Sequence, residues 1–308
     1  MHVMGGGDVG GAKTQIMNTV TGLSRTNDVM LISFRAGPFA DEARERGIDV
    51  RVIERHNPFR AARTMRDLVD EFKPDIIHCH GGRANLMGAM VRRSRHIPII
   101  TTVHSDYRLD YLGSPLKQHT LGTANAIALR FLDFYQPVAD RMARTLIERG
   151  FDPERIVKIY NGMEFNRPEG EFDRAAYLRE TYGAEIEEGD VLCGIAARLT
   201  AVKDIATTVR GFAEALKTAP QLRLFIAGDG EDADMLKKLC DQLGVRERVT
   251  FCGWVSPVMP FFRAMDINLL SSVSETFPYS ILEGVCAGCA TICSDVGGMP
   301  ELIDTGEN

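Results

Sequence analysis

Short apolar runs alternate with helical-period segments along nearly the whole chain, the pattern of a parallel sheet covered by helices. In the first half, His2–Met4, Val29–Phe34, Val50–Ile53, Ile76–Cys79, Ile99–Val103, Phe134–Val138 and Ile156–Tyr160 predict strands. Between them, Arg60–Phe72 repeats Ala61, Met65, Leu68 and Phe72 at helical spacing. A polar segment from Glu164 to Glu187 contains Pro168 and Gly170 and lacks a buried-strand pattern, so a domain boundary is expected at its start. A second alternation follows in Val191–Ala196, Leu222–Ala227, Val249–Cys252, Ile267–Leu270 and Ala290–Cys293. Between the first two of these, Ile205, Val209, Phe212 and Leu216 share one helix face, with Asp204 placed to cap it. The pattern predicts an α/β chain of two Rossmann-like domains, residues 1–165 and 166–308, facing each other across a cleft. The closing "ELIDTGEN" stops where a further strand and helix are expected, so the second domain reads as incomplete.

The 308 residues suffice for two cores. With 44% hydrophobic and 25% charged residues the composition is that of an ordinary globular protein, without a membrane-length apolar run or a signal peptide. A cytoplasmic location is the expectation. The seven cysteines are odd in number and mostly lie in apolar strands, which points to reduced core thiols rather than a disulfide framework. Cys286, Cys289 and Cys293 lie among small residues where a helix runs into a strand, and are read as buried thiols rather than metal ligands. The net charge of −6 argues against nucleic-acid binding. Residues 1–165 carry 23 Lys+Arg against 19 Asp+Glu, and the remainder carry 13 against 23. The first domain is therefore the one suited to an anionic surface.

"HVMGGGDVGGAKT" approaches two phosphate-binding signatures. A P-loop needs Lys directly after its last Gly, but Ala12 holds that place and Lys13 comes one step late, a rotation of ~100° on a helix. Gly5, Gly7 and Gly10 satisfy the dinucleotide spacing, yet Arg35 stands where a ribose-binding carboxylate is needed at the end of the next strand. What remains is a glycine turn with open backbone N–H groups at a helix start, a surface that accepts phosphates or hydroxyls.

The most informative stretch is "SSVSETFPYSILEGVCAGCATICSDVGGMPELI". Glu275 and Glu283 are separated by seven residues, with Pro278 suited to the first turn of a helix between them. Glu275 then falls in the loop before the helix and Glu283 on it, with the positive helix end between two acids, an arrangement suited to a diphosphate flanked by sugar hydroxyls. In "GIAARLTAVKD", Arg198 follows a strand at the carboxyl edge, where open α/β sheets bind ligands, and Lys203 follows five positions later. Together they are suited to hold a departing diphosphate.

On these motifs the chain resembles the family-4 (group 1) retaining glycosyltransferases of GT-B architecture. The family's E-x7-E matches Glu275 and Glu283, its R-x4-K matches Arg198 and Lys203, and its glycine-rich loop matches Gly5–Gly11. "TTVHSDYR" looks like the segment carrying the active-site histidine, here His104, while "IYNGMEF", "IAGDGE" and "FCGWVS" look like interdomain and nucleotide-binding stretches. The resemblance implies that Glu275 holds donor-sugar hydroxyls, Glu283 the ribose, Arg198 and Lys203 the diphosphate, and that His104 sits beside the transferred sugar. It implies donor contacts from Gly10, Gly11, Gly253, Phe277 and Pro278 as well. The implied reaction moves a sugar from a UDP- or GDP-sugar to a lipid, saccharide or small-molecule acceptor in cell-envelope glycan or glycolipid synthesis, with no metal or other cofactor. A sugar-nucleotide epimerase of related build and an inactive nucleotide-binding remnant are the alternatives.

His78 and His80 share one strand face, but no third ligand is evident nearby, so cleft-lining or hydrogen-bonded histidines are expected rather than a metal site. Asp232 and Asp234 open a helix after "GDGE", where acids complement the dipole without a metal. Arg60, Arg63, Arg66, Arg92, Arg93 and Arg95 are candidates for peripheral contact with an anionic membrane or an anionic acceptor, solvated helix faces being the default reading.

Overall fold

In the computed structural model, which describes residues 1–5, 11–54, 57–92, 94–108, 116, 118–165 and 170–306, the apolar runs form two parallel sheets. The chain divides into two units, Met1–Gly162 and Met163–Asn308, each built on one sheet.

The first unit contains β1 (His2–Met4), α1 (Gly11–Leu23), β2 (Met30–Ser33), α2 (Pro38–Glu45), β3 (Asp49–Val52), α3 (Pro58–Phe72), β4 (Ile77–His80), α4 (Gly82–Arg92), β5 (Ile99–Val103), α5 (Thr123–Leu129), β6 (Phe134–Pro137) and α6 (Asp140–Glu148). Its sheet order is β3-β2-β1-β4-β5-β6, all pairs parallel. Alternate residues serve opposite faces, as a strand's period of two requires. Val3, Met30 and Ile32 enter one buried cluster, whereas Met4 and Leu31 enter another. Both faces are therefore covered, which explains runs of continuous rather than alternating hydrophobicity.

The second unit contains α7 (Arg174–Tyr182), β7 (Val191–Ala196), α8 (Ile205–Ala215), β8 (Leu222–Ala227), α9 (Ala233–Gln242), β9 (Val249–Gly253), α10 (Met259–Ala264), β10 (Ile267–Leu270), α11 (Tyr279–Ala287) and β11 (Ala290–Cys293). The sheet order is β11-β10-β7-β8-β9. Cys193, Ile195, Leu224 and Ile226 pack on one side, and Leu192, Phe225 and Ala227 on the other. Burial of a side chain such as Ile226 contributes about 1.5–3 kcal/mol. Strand order reverses between β7 and β10, so the loops leaving these two neighbouring strands start side by side at the carboxyl edge of the sheet, where open α/β sheets bind ligands.

Two expectations are corrected. Ile156–Tyr160 is not a strand: only Ile156 forms a bridge, with Tyr135. Val157 N donates to Tyr135 O and Ile159 N to Pro137 O, but the return bond needs an N–H that Pro137 lacks, so the ladder stops. Asp204 precedes its helix but its side chain does not cap it. Asp204 adopts a left-handed conformation (φ 43°) after the 3-10 turn Ala201–Lys203, and its carboxylate accepts from the Thr207 hydroxyl instead, at 2.7 Å. All seven cysteines are free, and Cys289 donates to the carbonyls of Phe262 and Met265 within the core.

Candidate active site

The chain leaving β7 stays attached to the segment after β8. Ala197 N donates to Ala227 O at 3.0 Å and Leu199 N to Asp229 O at 2.9 Å. Close approach here requires glycine: a Cβ on Gly230 would lie 2.2 Å from Leu199 O. Arg198 sits between two anchored residues, is exposed, and has no ion-pair partner among the described residues.

The next turn brings together residues from two motifs. Lys203 and Glu275 form a hydrogen-bonded ion pair, with side-chain exposures of 19% and 9%. The loop Ser271–Pro278 is tied to the turn by Val273 N donating to Val202 O at 2.9 Å and by the Ser271 hydroxyl donating to Asp204 O at 2.8 Å. Glu275 also accepts from the Ser272 hydroxyl at 2.7 Å, and the Ser272 carbonyl accepts from Ser294 at 2.6 Å. On the far side, Gly297 (φ 60°) lies so close that a Cβ would come within 1.8 Å of Glu275 O. Sequence reasoning assigned Lys203 and Glu275 separate tasks on a ligand; their mutual neutralisation is what the structure adds.

Glu275 lies in the loop and Glu283 on α11, in agreement with the motif reading. Pro278, expected within the first turn, instead precedes it in an extended conformation, where its lack of an N–H costs nothing. Asn268 holds the helix start on β10 by donating to Ser280 O at 2.9 Å. Glu283 has no hydrogen-bond or ion-pair partner among the described residues, and burial pushes its carboxyl up to about 7. Phe277 is buried, while Gly253, at the end of β9 with φ 67°, is exposed and accepts from Gly228 N at 2.7 Å.

Arg198, Lys203, Glu275, Glu283, Gly253, Phe277 and Pro278 thus belong to the second unit, and His104 and Gly11 to the first. Gly11 is the first residue of α1; Gly10 lies outside the described residues. Lys13 pairs with Glu42 at 2.7 Å, which occupies the only cation the near-P-loop offers. His104 follows β5, before a turn held by Arg149 donating to both oxygens of Asp106 at 2.7 and 2.6 Å.

A third histidine does stand beside His78 and His80, contrary to the sequence reading. His2 on β1 is in register with His78, and one ring nitrogen from each of His2, His78 and His80 lies within 4.8 Å of the others. The strand order placing β1 beside β4 was the missing signal. The rings of His78 and His80 stack at 4.4 Å with planes 20° apart, and those of His2 and His80 are 13° apart. Imidazole lone pairs lie in the ring plane, so convergence on one ion requires rotating rings out of bonds they already make. Burial lowers the basicity of all of these rings, to about 4 for His78 and for His104.

In the basic set, Arg92 bonds Asp133 and Arg95 bonds Asp70. Arg93 lies outside the described residues. Cys286, Cys289 and Cys293 form no ligand cluster with other residues among those described. Asp234 lies in the first turn of α9 and pairs with Lys237 at 3.9 Å. No helix among the described residues is long and apolar enough to cross a membrane.

Two family profiles match the chain: Glycosyltransferase Family 4 over residues 9–167 and Glycosyl transferases group 1 over residues 183–308. An uncharacterized glycosyltransferase of Methanocaldococcus jannaschii, MJ1607, is 29% identical over 245 residues, covering 75% of this chain and 60% of that protein. The alpha-monoglucosyldiacylglycerol synthase of Streptococcus pneumoniae is 26% identical over 250 residues, covering 78% of this chain and 56% of its own length. The chain thus spans less than two thirds of these curated relatives. Among solved structures, Anabaena HepE in complex with UDP-glucose superposes with a TM-score of 0.83 at 20% identity, over 99% of this chain and 84% of that one. The two parallel sheets and the two matching profiles converge: the chain belongs to the family-4, group 1 glycosyltransferases of GT-B fold.

Proposed function

We propose that the chain transfers a sugar with retention from a UDP- or GDP-linked donor to a lipid, saccharide or small-molecule acceptor, in glycan or glycolipid synthesis. The observation that supports it most directly is the Lys203–Glu275 pair in the same unit as Arg198 and Glu283, neither of which has an ion-pair partner among the described residues. Breaking the sugar–phosphate bond leaves positive charge on the sugar and negative charge on the diphosphate, and fixed cations address the latter. Lys203 spends one of its three N–H donors on Glu275 and keeps two for phosphate oxygens. Arg198 adds a planar fork and α11 its first-turn N–H groups. Glu275 then holds sugar hydroxyls, Glu283 the ribose, and His104 the side of the transferred sugar.

In the proposed step the bond from the anomeric carbon to phosphate oxygen breaks, the acceptor oxygen bonds that carbon from the same face, and the leaving phosphate takes the acceptor proton. Arg198, the remaining N–H donors of Lys203 and a helix end are assigned to the diphosphate in place of a metal, and activity is expected to survive a chelator. The names of relatives support the classes involved: a diacylglycerol glucoside synthase for a lipid acceptor and the UDP-glucose complex for the donor. With a lipid acceptor, exposed Phe59, Arg60 and Arg63 on α3 are assigned to an anionic surface, and sedimentation with acidic but not neutral vesicles is expected.

The test is nucleoside diphosphate release from UDP- and GDP-sugars with and without lipid and saccharide acceptors, followed by the anomeric configuration of the product. Acceptor-dependent release with retained configuration is expected. Release that no acceptor stimulates, an inverted product, or a trapped covalent sugar on the protein overturns the reading.

A further inference from the structure

His104 is the end of a chain of imidazoles. Its Nε2 lies 3.3 Å from His80 Nδ1, and His80 Nε2 lies 3.2 Å from His2 Nδ1. Both nitrogens of His80 are therefore engaged inside the protein, on a ring only 3% exposed. Sheet geometry builds this row: His2 on β1, His80 on β4 and His104 just beyond β5 come from three adjacent strands. The fourth ring, His78, stacks on His80 and bonds the Thr102 hydroxyl at 2.7 Å, closing the other side.

A neutral imidazole has one donor and one acceptor nitrogen. In a row joined through both nitrogens of the middle ring, donation must run in one direction throughout. If His80 Nδ1–H donates to His104, His104 carries its own proton on Nδ1; if His104 donates, the proton is on Nε2. Either way His80 dictates which nitrogen of His104 is protonated, and fixes its ring angle. Burial supports this by disfavouring the imidazolium, which would donate at both nitrogens and break the row.

We propose that His80, backed by His2, is a positioning residue that fixes the tautomer and orientation of His104. The proposal rests on the functional reading only in assigning His104 to the active site; the row itself does not depend on it. An imidazole that must meet a sugar hydroxyl needs the right lone pair or proton facing it, and an untethered ring loses that selection. Partners that orient metal-bound histidines contribute about 10- to 100-fold, and the same order is expected of a partner that orients His104.

The test is long-range 1H–15N correlation spectroscopy of the histidine rings in the full chain, with His80→Asn, His80→Leu and His2→Leu. Asparagine places a polar group near the former Nδ1, so His80→Asn keeps the bond to His104 and leucine removes it. The wild type and His80→Asn are expected to show a single His104 tautomer, and His80→Leu a mixture. His2→Leu, which leaves the His80–His104 bond in place, is the second variant should His80→Leu fail to fold, and is expected to shift the His80 nitrogens. A mixed His104 tautomer in the wild type, an unchanged His104 in His80→Leu, an unmoved His80 in His2→Leu, or stoichiometric zinc on these rings in the purified protein overturns the proposal. With UDP-glucose as probe, His80→Leu is expected to lower kcat about 10- to 100-fold with KM little changed and His80→Asn to restore it. Inactivity of the wild type with every UDP- and GDP-sugar offered counts against the functional reading, while the spectra still decide the row.

Discussion

Lys203 and Glu275, 72 residues apart in sequence, neutralise each other at the carboxyl ends of β7 and β10. Adjacent strands at the reversal of strand order bring their loops together, and each motif supplies one charge. Because Glu275 is nearly buried, removing Lys203 leaves its carboxylate with the Ser272 hydroxyl as its remaining side-chain partner among the described residues. A hydrogen bond to a charged group contributes about 1.5–3 kcal/mol, so Lys203→Met and Glu275→Gln are each expected to cost that order in urea unfolding. The double variant should cost less than the two singles together, by about 1 kcal/mol or more. Strict additivity would show that the pair contributes nothing to stability.

Gly297 sets the position of that loop from the opposite side. A methyl group there meets Glu275 O at 1.8 Å on a backbone with φ 60°, so Gly297→Ala must displace the loop as well as strain the chain. Gly306 has φ 86° but open space around it, and isolates the strain alone. Gly306→Ala is expected to cost about 1–2 kcal/mol and leave UDP binding unchanged. Gly297→Ala should cost more and weaken UDP binding, as calorimetry would show; equal effects of the two would remove the loop from the site.

Much of this was legible in sequence because the parallel sheets are covered on both faces. Val191–Ala196, Leu222–Ala227 and Ile267–Leu270 are apolar runs whose ends match the strands, and Ala290–Cys293 matches as well although the edge strand β11 is only half-buried. What escaped depends on partners distant in sequence or on local exceptions. Pro137 silences a ladder that the apolar pattern of Ile156–Tyr160 suggests, and the left-handed Asp204 turns its carboxylate away from the capping role. His2 could be joined to His78 and His80 only by knowing that β1 lies beside β4. A linear reading assigns Lys203 and Glu275 each to a ligand, but it does not say how the two charges satisfy each other.

With Glu283 in its proposed place on the ribose, nucleotide binding is expected to show a pH dependence of defined sign. Burial raises its carboxyl to about 7, whereas ribose hydroxyls donate best to the carboxylate. Affinity for UDP is therefore expected to rise with pH through about 7, by at most about tenfold per unit. The terminal phosphate of UDP titrates near neutrality too, at about 6 for phosphate monoesters. Glu283→Gln retains that background and loses only the contribution of the protein, so the difference in slope between the two proteins is the measurement. Parallel slopes would remove Glu283 from nucleotide recognition.

Acid is expected to affect the two units in opposite directions. In the first, His78 and His104 are lowered to about 4 by burial, and His2 and His80 are lowered in the same sense. Between the ordinary histidine value of 6.5 and about 4 the unfolded chain binds protons that the folded unit refuses, so stability falls as pH falls through that window. The slope is about a kcal/mol per pH unit for each histidine that stays neutral. Asp106 and Asp133, where burial is outweighed by Arg149 and Arg92, are lowered and act only below their ordinary value of 3.8. In the second unit Glu283, raised to about 7 from 4.5, stays protonated when folded and ionises when unfolded, so acidification across that range stabilises. Amide exchange between about pH 7 and pH 5, corrected for intrinsic rates, should therefore lose protection in β1 and β4 before β7 and β8. His78→Gln should flatten the response of the first unit and leave the second untouched. Loss of protection in both units together would mean that the buried histidines do not set the acid limit of their own sheet.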